Sequence, residues 1–385
     1  MISTIVQDKE MRYVNLFIFI ILNVALSHRC LAQTPPIKQV ETKPVNAETP
    51  TFRLFLIGDA GEGDTTGATL LDLKKKLADN PNSAVVFLGD NCYKKMFFGL
   101  ISLEMKGYDG GKITRRRMMS QLNILRDYKG SAYFVPGNHD WWNMIHLKGG
   151  KKHLLKEQLF VEDTLRNFTS ILNHNDGTFL PVNGTLGPIS RDFNNGKTRL
   201  IFIDTYRLII EEGAKRHRDS LLINTFYKEL KNQLTDASNK HEKIIVVGHH
   251  PIHSKGKHSL PLIFWERLNR RFADSNPNYP PYNRMAVHLD SLLKEHHHPD
   301  VYYVAGHEHS LEYFITDSLH YIVSGAGSKI DKVKMEDCKD GTQCLKWNQG
   351  GFFEIDFYGL YETVLMYHRK DNKTELEVEC LTGCN

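Results

Sequence analysis

The sequence predicts an α/β fold, and three observations carry that expectation. Short apolar runs that read as buried strands alternate with stretches whose leucines recur at helical spacing. Five of the runs stop at a glycine followed by Asp, Asn or His. That puts polar side chains at the C-terminal edge of a sheet, where open α/β folds take their ligands. The tail alternates apolar and polar residues over Gly351–Phe357 and Tyr361–His368, the period of antiparallel strands.

Taken in order, residues 1–32 stand apart. Lys9 and Arg12 precede an apolar run from Tyr13 to Leu26, and Cys30-Leu31-Ala32 offers small residues for cleavage before Gln33. The run is short for a membrane span, so a signal peptide is expected, with a secreted, periplasmic or lumenal destination and no stable span in the mature chain. The alternative is an uncleaved N-terminal anchor. Residues 33–50 carry Pro35, Pro36, Pro44 and Pro50 among polar residues and read as a flexible linker.

Residues 51–385 are expected to hold the folded domain. Its first strand, Phe52–Ile57, ends in Gly58-Asp59-Ala60-Gly61. A helix over Thr69–Leu77 places Leu70, Leu73 and Leu77 on one face, with Lys74-Lys75-Lys76 solvated. The strand Ser83–Phe87 leads into Leu88-Gly89-Asp90-Asn91-Cys92-Tyr93, from which Tyr93 can turn back toward Asp90. Lys94, Lys95, Lys106, Lys112 and Arg115-Arg116-Arg117 read as a wet helix surface, the alternative being a field that attracts an anion.

Ala132–Val135 is the third strand, followed by Gly137-Asn138-His139-Asp140, Trp141-Trp142 and a helix around Lys151–Phe168. Arg199–Ile203 ends at Asp204, and Leu222, Phe226, Leu230 and Leu234 then form a core stripe on a helix. Lys243–Val247 leads into Gly248-His249-His250-Pro251. After a helix near Met285–His296, Val301–Val304 leads into Gly306-His307-Glu308-His309. His296-His297-His298 stands at a helix end and reads as solvated, where the helix dipole favours cations.

Composition narrows the classes. With 41% hydrophobic and 24% charged residues the chain is that of a soluble globular protein. Three Lys and Arg and two Asp and Glu lie in residues 1–32, which leaves 46 basic against 43 acidic residues beyond them, a charge of +3. Nucleic-acid binding by bulk charge is not indicated. Beyond residue 32 stand Cys92, Cys338, Cys344, Cys380 and Cys384. In an exported chain the last four suggest Cys338–Cys344 and Cys380–Cys384, one of three pairings. Cys92 reads as a small buried filler. Asn167-Phe-Thr, Asn183-Gly-Thr and Asn372-Lys-Thr are sequons where the source cell glycosylates.

The strand-end clusters carry the chemistry. Glycine lets the backbone turn sharply there. The side chains that follow are oxygen donors, Asp59, Asp90, Tyr93 and Asn138, and imidazoles, His249, His307 and His309. Each cluster alone has a structural explanation, since Gly-Asp is ordinary turn chemistry and a lone Gly-His is usually part of a core. Five in order, all at strand ends, point to a metal centre.

This ordered set resembles the calcineurin-like metallophosphoesterases and, within them, the purple acid phosphatases of the mammalian, tartrate-resistant type. The resemblance runs from Phe52 to Ser324-Gly325-Ala326-Gly327. Many metallophosphoesterases open with Asp-x-His, whose His is a ligand; two residues past Asp59 stands Gly61, and Tyr93 is available in that ligand's place. The resemblance implies a four-layer αββα sandwich of two mixed sheets flanked by helices. It implies Fe(III) held by Asp59, Asp90, Tyr93 and His309, with Asp90 bridging to a divalent Fe, Zn or Mn ion held by Asn138, His249 and His307. Tyrosine's ordinary pKa of about 10 agrees, because phenolate ligation needs a highly charged cation.

The implied activity is that of a binuclear-metal acid phosphatase, which hydrolyses phosphoric monoesters of small substrates through a metal-activated hydroxide. His139 is expected to contact the phosphate and help protonate the leaving group; a structural role is the alternative. Mammalian-type members carry an acidic residue and then His shortly after Gly-His-x-Pro. The matching pair here is Lys257-His258, so His258 is a second catalytic candidate while the usual carboxylic acid is missing. The competing functions are a phosphodiesterase or nucleotide hydrolase on the same metals, whose larger substrate the basic stretch and Trp141-Trp142 would frame, and a non-catalytic phosphate- or metal-binding relative.

Overall fold

A computed structural model describes residues 49–62, 67–93, 110–141, 147–173, 176–213, 221–256, 258, 279–296, 301–316, 319–331, 343–347, 349–359, 361–369 and 376–382. They all belong to one compact unit, Lys43–Asn385. The expected signal peptide and nearly all of the expected linker lie outside the described residues, as do Cys338, Cys384, Lys257, Trp142, His297 and His298.

The apolar runs form two mixed sheets. The first has the order β13-β12-β11-β1-β2-β3, in which β1 (Phe52–Ile57), β2 (Ser83–Phe87) and β3 (Ser131–Phe134) are parallel. Its other strands, β11 (Gly351–Tyr358), β12 (Tyr361–Arg369) and β13 (Leu376–Thr382), are antiparallel. The second sheet has the order β10-β8-β9-β7-β6-β5-β4. Its parallel centre is β5 (Thr198–Phe202), β6 (Lys243–Val247), β7 (Val301–Ala305) and β9 (Leu319–Ser324). Antiparallel β4 (Ile189–Phe193), β8 (Leu311–Thr316) and β10 (Gln343–Trp347) complete it.

The alternation of side chains builds four layers. In β1, Leu54 and Leu56 join Leu200, Phe202, Ile245, Val247 and Val304 between the sheets. Phe55 and Ile57 point the other way, into a core closed by α1 (Ala68–Ala78), α2 (Gly110–Asn123) and α3 (Leu147–Arg166). In β6, Ile244 and Val246 pack against α4 (Thr205–Gly213), α5 (Leu221–Asn239) and α6 (Pro280–Lys294). Strands covered on both faces read as continuous apolar runs, and each fully buried aliphatic side chain contributes about 1.5–3 kcal/mol. The expected αββα sandwich is observed.

Leu70, Leu73 and Leu77 of α1 and Phe226, Leu230 and Leu234 of α5 are buried as expected, but Leu222 is 42% exposed and Ile223 faces the core. The reason is geometric: a spacing of four drifts about 40° per step on a 3.6-residue helix, so a stripe of fours leaves the core face within three steps. His296, at the end of α6, is held by the Leu292 carbonyl and the Thr235 hydroxyl. Among the described residues no helix is long and apolar enough to cross a membrane.

Register brings the strand ends level. Ile57 pairs with Phe87, Phe87 with Phe134, and Val247 with Val304. The sheets are then laced together at that edge. Gly58 N donates to Ser324 O at 2.6 Å and Ser324 Oγ to Leu56 O at 2.7 Å, while Gly306 N to His249 O at 3.0 Å extends the second sheet's own pairing to the same level.

Candidate metal centre

All of the expected donors meet at this laced edge. Asp59, Asp90 and His307 lie in the left-handed region, with φ of 55°, 52° and 72°. Such φ values are unfavourable for non-glycine residues and persist where surrounding structure enforces them. Here the enforcement is a ring of backbone bonds: Asp59 N to Gly89 O (3.0 Å), Gly61 N to Asp90 O (3.1 Å) and Tyr93 N to Gly61 O (3.2 Å).

The last two bonds bear on the expectation that Tyr93 stands where a histidine is missing. The loop after β2 runs along Gly61, and a Cβ on Gly61 would come within 2.5 Å of Asp90 O and Cys92 N. No side chain fits there. The same close approach delivers Tyr93 to the centre, where its hydroxyl donates to Asp59 Oδ1 at 2.5 Å and lies 3.2 Å from His309 Nε2.

One half of the centre is thus Asp59, Tyr93 and His309. Asp59 Oδ2 accepts from His307 N at 2.7 Å, and His309 Nε2 is 3.7 Å from Asp59 Oδ1. The other half is Asn138, His249 and His307. Asn138 Oδ1 is 3.1 Å from His249 Nε2 and 3.2 Å from His307 Nδ1, and those two nitrogens are 3.3 Å apart. Asp90 stands between the halves, with Oδ1 3.4 Å from His249 Nε2 and its carboxylate beside Tyr93.

The donor set fits cations on its own chemistry. His249 Nδ1 faces Leu88 O at 2.7 Å and must donate to it, which fixes a lone pair on Nε2. That lone pair, an amide oxygen and a second imidazole nitrogen converge in a fully buried space. Burial, helped by the Asp59 and Asp90 carboxylates, pushes the Tyr93 phenol well above its ordinary value. Its phenolate therefore requires a strong positive charge alongside. Burial also raises Asp59, whereas Asp90 is held at about 2 because His139, His249 and the His139 amide outweigh its burial. Asp59, Asp90 and His249, and separately His249, His250 and His307, each bring three ligand atoms within 4.8 Å.

The two candidate proton donors are both at the centre. His139 N bonds Asp90 Oδ1 at 2.8 Å, while its ring, 34% exposed, lies 4.5 Å from the Tyr93 ring with Nε2 3.8 Å from Asp90 Oδ2. His258 is delivered by a strap that spacing did not reveal. Glu308 Oε2 accepts from His258 N at 3.0 Å and Glu312 Oε2 from Lys255 N at 2.7 Å, so two buried carboxylates tie the loop to the β7–β8 connection. The His258 ring then stacks 4.7 Å from His307.

Several supporting residues are given no role by the sequence. Asp140 accepts from Gly137 N (2.7 Å), Asn91 Nδ2 (3.0 Å) and Cys92 N (3.1 Å), clamping the loops after β2 and β3 together. Asp331 Oδ2 meets His309 Nδ1 at 2.7 Å. Thr205 Oγ1 accepts from the amides of His249 and His250 at 3.2 and 3.0 Å. Cys92 is buried and in no disulfide, as expected of a filler.

Two expectations need correction. Arg115 and Arg116 are exposed, but Arg117 is buried, donating to Tyr93 O and lying 3.7 Å from Glu62, so the basic stretch is not simply a wet surface. Its guanidinium donates to the Tyr93 carbonyl and faces Glu62, whose side chain is 36% exposed. Trp141 frames no substrate; it is 2% exposed and donates to Asp204 Oδ2 at 2.8 Å.

Comparison with known proteins agrees with this geometry. A search of curated proteins finds no match. Among solved structures, GAP50, the anchor in the inner membrane complex of Plasmodium, is 17% identical with a TM-score of 0.52, covering 85% of this chain and 87% of its own. A dimetal phosphatase from Danio rerio is 15% identical with a TM-score of 0.48, covering 86% and 98%. PhoD is 10% identical with a TM-score of 0.46, covering 87% and 69%. The likeness to GAP50 speaks for the fold. The model of the calcineurin-like phosphoesterases matches residues 52–311, most of the chain, and the protein belongs to that family.

Proposed function

We propose that this calcineurin-like phosphoesterase is a purple acid phosphatase, hydrolysing phosphoric monoesters on a mixed-valent or heterometallic pair, and that residues 1–32 export it. The observation that carries the reading is the phenol of Tyr93 in the place that Gly61 keeps closed to a histidine. Asp59, Asp90, Tyr93 and His309 would hold Fe(III), and Asp90, Asn138, His249 and His307 the divalent Fe, Zn or Mn ion. Bound there, the pair supplies Lewis acidity toward phosphate oxygens and a nucleophile from water near neutral pH.

The chain's own residues do the rest. Asp90 keeps the halves in register. The Leu88 carbonyl orients the His249 ring by accepting from Nδ1, and His307 is anchored through its amide on Asp59. His139 is the one of these groups open to solvent, so it can hold a proton at Nε2 toward the leaving oxygen. His258, strapped by Glu308, is the second proton donor in reach. A non-catalytic role, as an anchor such as GAP50, is disfavoured by the completeness of the donor set.

The test is metal analysis with a visible spectrum. Two metals per chain, one of them iron, and a purple charge-transfer band lost in Tyr93→Phe are expected. A colourless protein with two zinc ions rejects the purple assignment and leaves the family standing. Rates on aryl monophosphates should exceed those on diesters.

A further inference from the structure

Helix α3 orders its charges against its own stability. Lys148 stands in a first turn that holds no acid, and Lys151, Lys152 and Lys156 follow over the next two turns. Glu157, Glu162 and Asp163 come only after them. A helix N-terminus disfavours cations, and like charges one turn apart, as at Lys152 and Lys156, destabilise a helix further. The arrangement therefore serves something outside the helix.

The outer face is laid out to match. Leu154, Val161 and Leu165 fill the core beneath α3. On the opposite side Lys152, Lys156 and Leu159 fall at i, i+4 and i+7, and all three are exposed, Leu159 by 59%. Lys151 is exposed beside them. Arg115 of α2, also exposed, continues the row, with its guanidinium 5.0 Å from the ring centre of Phe160, one turn past Lys156. Further along, Asp163 is taken up by Arg166 at 3.0 Å. The result is a convex ridge with a leucine on its crest and cations around it.

We propose that α3 docks this protein on a membrane surface rich in anionic lipid. Leu159 enters the boundary between headgroups and acyl chains, and Lys151, Lys152, Lys156 and Arg115 meet the lipid anions. Amphipathic helices lie on such surfaces in this way, their long basic side chains reaching from an apolar line to the headgroups. A convex ridge offers an acidic protein no groove to fill, and the near-neutral charge beyond residue 32 disfavours nucleic acid. The ridge starts beside the candidate centre, because His153 of the same helix reaches Asp140 O at 2.9 Å. A docked chain thus holds that centre close to the lipid. Docking does not depend on the reaction there.

The test is sedimentation of the full chain with vesicles of phosphatidylcholine alone and of phosphatidylcholine and phosphatidylserine in equal parts. Wild type should favour the mixed vesicles, less so as salt rises. The triple variant Lys151→Gln, Lys152→Gln, Lys156→Gln should lower that partition about a hundredfold, the combined worth of three lysines at an anionic surface. Leu159→Ser should lower it about tenfold. Glutamine forms helices as well as lysine does, and circular dichroism checks that both variants keep the fold. Equal binding of wild type to the two kinds of vesicle, or of wild type and variants to the mixed ones, would overturn the proposal. So would a loss in the lysine variant with none in Leu159→Ser, the pattern of a purely electrostatic contact such as an acidic protein makes.

Discussion

The first sheet brings Asp59, Asp90, Tyr93 and Asn138 to the centre, and the second brings His249, His307 and His309. Oxygen therefore comes from one layer and nitrogen from the other, and the two are held in different ways. The oxygen donors are strained and crowded. Asp59 and Asp90 sit at positive φ, buried against each other and against a phenol that neither can help to ionise. The nitrogen donors are held by orientation, which a carbonyl gives His249 and a carboxylate gives His309, although His307 shares the positive φ of the carboxylates. The lesson is that the oxygen layer stores electrostatic stress that a cation relieves, while the nitrogen layer selects geometry.

The comparison breaks most sharply at Asp90, which touches both layers. Asp90→Asn should lower turnover by about a thousandfold, since it removes the one anionic bridge and several kcal/mol of charge stabilisation with it. Metal content should fall from two per chain to one or fewer. Full occupancy in this variant would show that the nitrogen layer holds its ion unaided, against the division drawn here.

Much of this was readable beforehand because strand ends are local. Gly58-Asp59, Gly89-Asp90, Gly137-Asn138, Gly248-His249 and Gly306-His307 each follow a run too apolar to be anything but a buried strand. The shared edge then does the assembling. What stayed hidden is what depends on loops meeting across space. Asp331 looks like any loop acid until β9 carries it to His309, and Glu308 reads as a spacer between two histidines until it is seen holding His258. Edge strands were hidden for another reason: β4, Ile-Ser-Arg-Asp-Phe, has half-exposed polar residues and no buried run. Arg117 was misread because composition cannot tell which one of three successive arginines turns inward.

Asp331 sharpens the nitrogen side. Asp331→Asn keeps the size of the side chain but weakens the partner that fixes His309. Affinity for the ion in the tyrosine half should drop about 10- to 100-fold, with the other half retained. Competition with a chelator, followed at the charge-transfer band, measures it. An unchanged affinity would mean that the 2.7 Å contact does not orient the ring.

Asp204, at the end of β5 in the second sheet, is a buried carboxyl outside the donor set and tests the cost of such burial on its own. Burial pushes its carboxyl from 3.8 up to about 7, although the Arg207 amide and the Trp141 indole both donate to it. Because the folded value is the higher, the folded chain holds the proton that the unfolded chain has released between those two values. Stability is greatest below pH 4 in this respect and is lost as pH rises through about 7, by roughly 4 kcal/mol at most. Asp204→Asn cannot ionise, but it turns an amide NH₂ toward one of the two donors and costs about 1–3 kcal/mol at acidic pH. Urea unfolding should therefore find the two proteins about equally stable near pH 5 and the variant the more stable at pH 8, the wild type losing roughly 3 kcal/mol relative to it across that interval, with turnover little changed. Parallel curves would place the ionised carboxylate in a solvated setting and show that burial does not raise it.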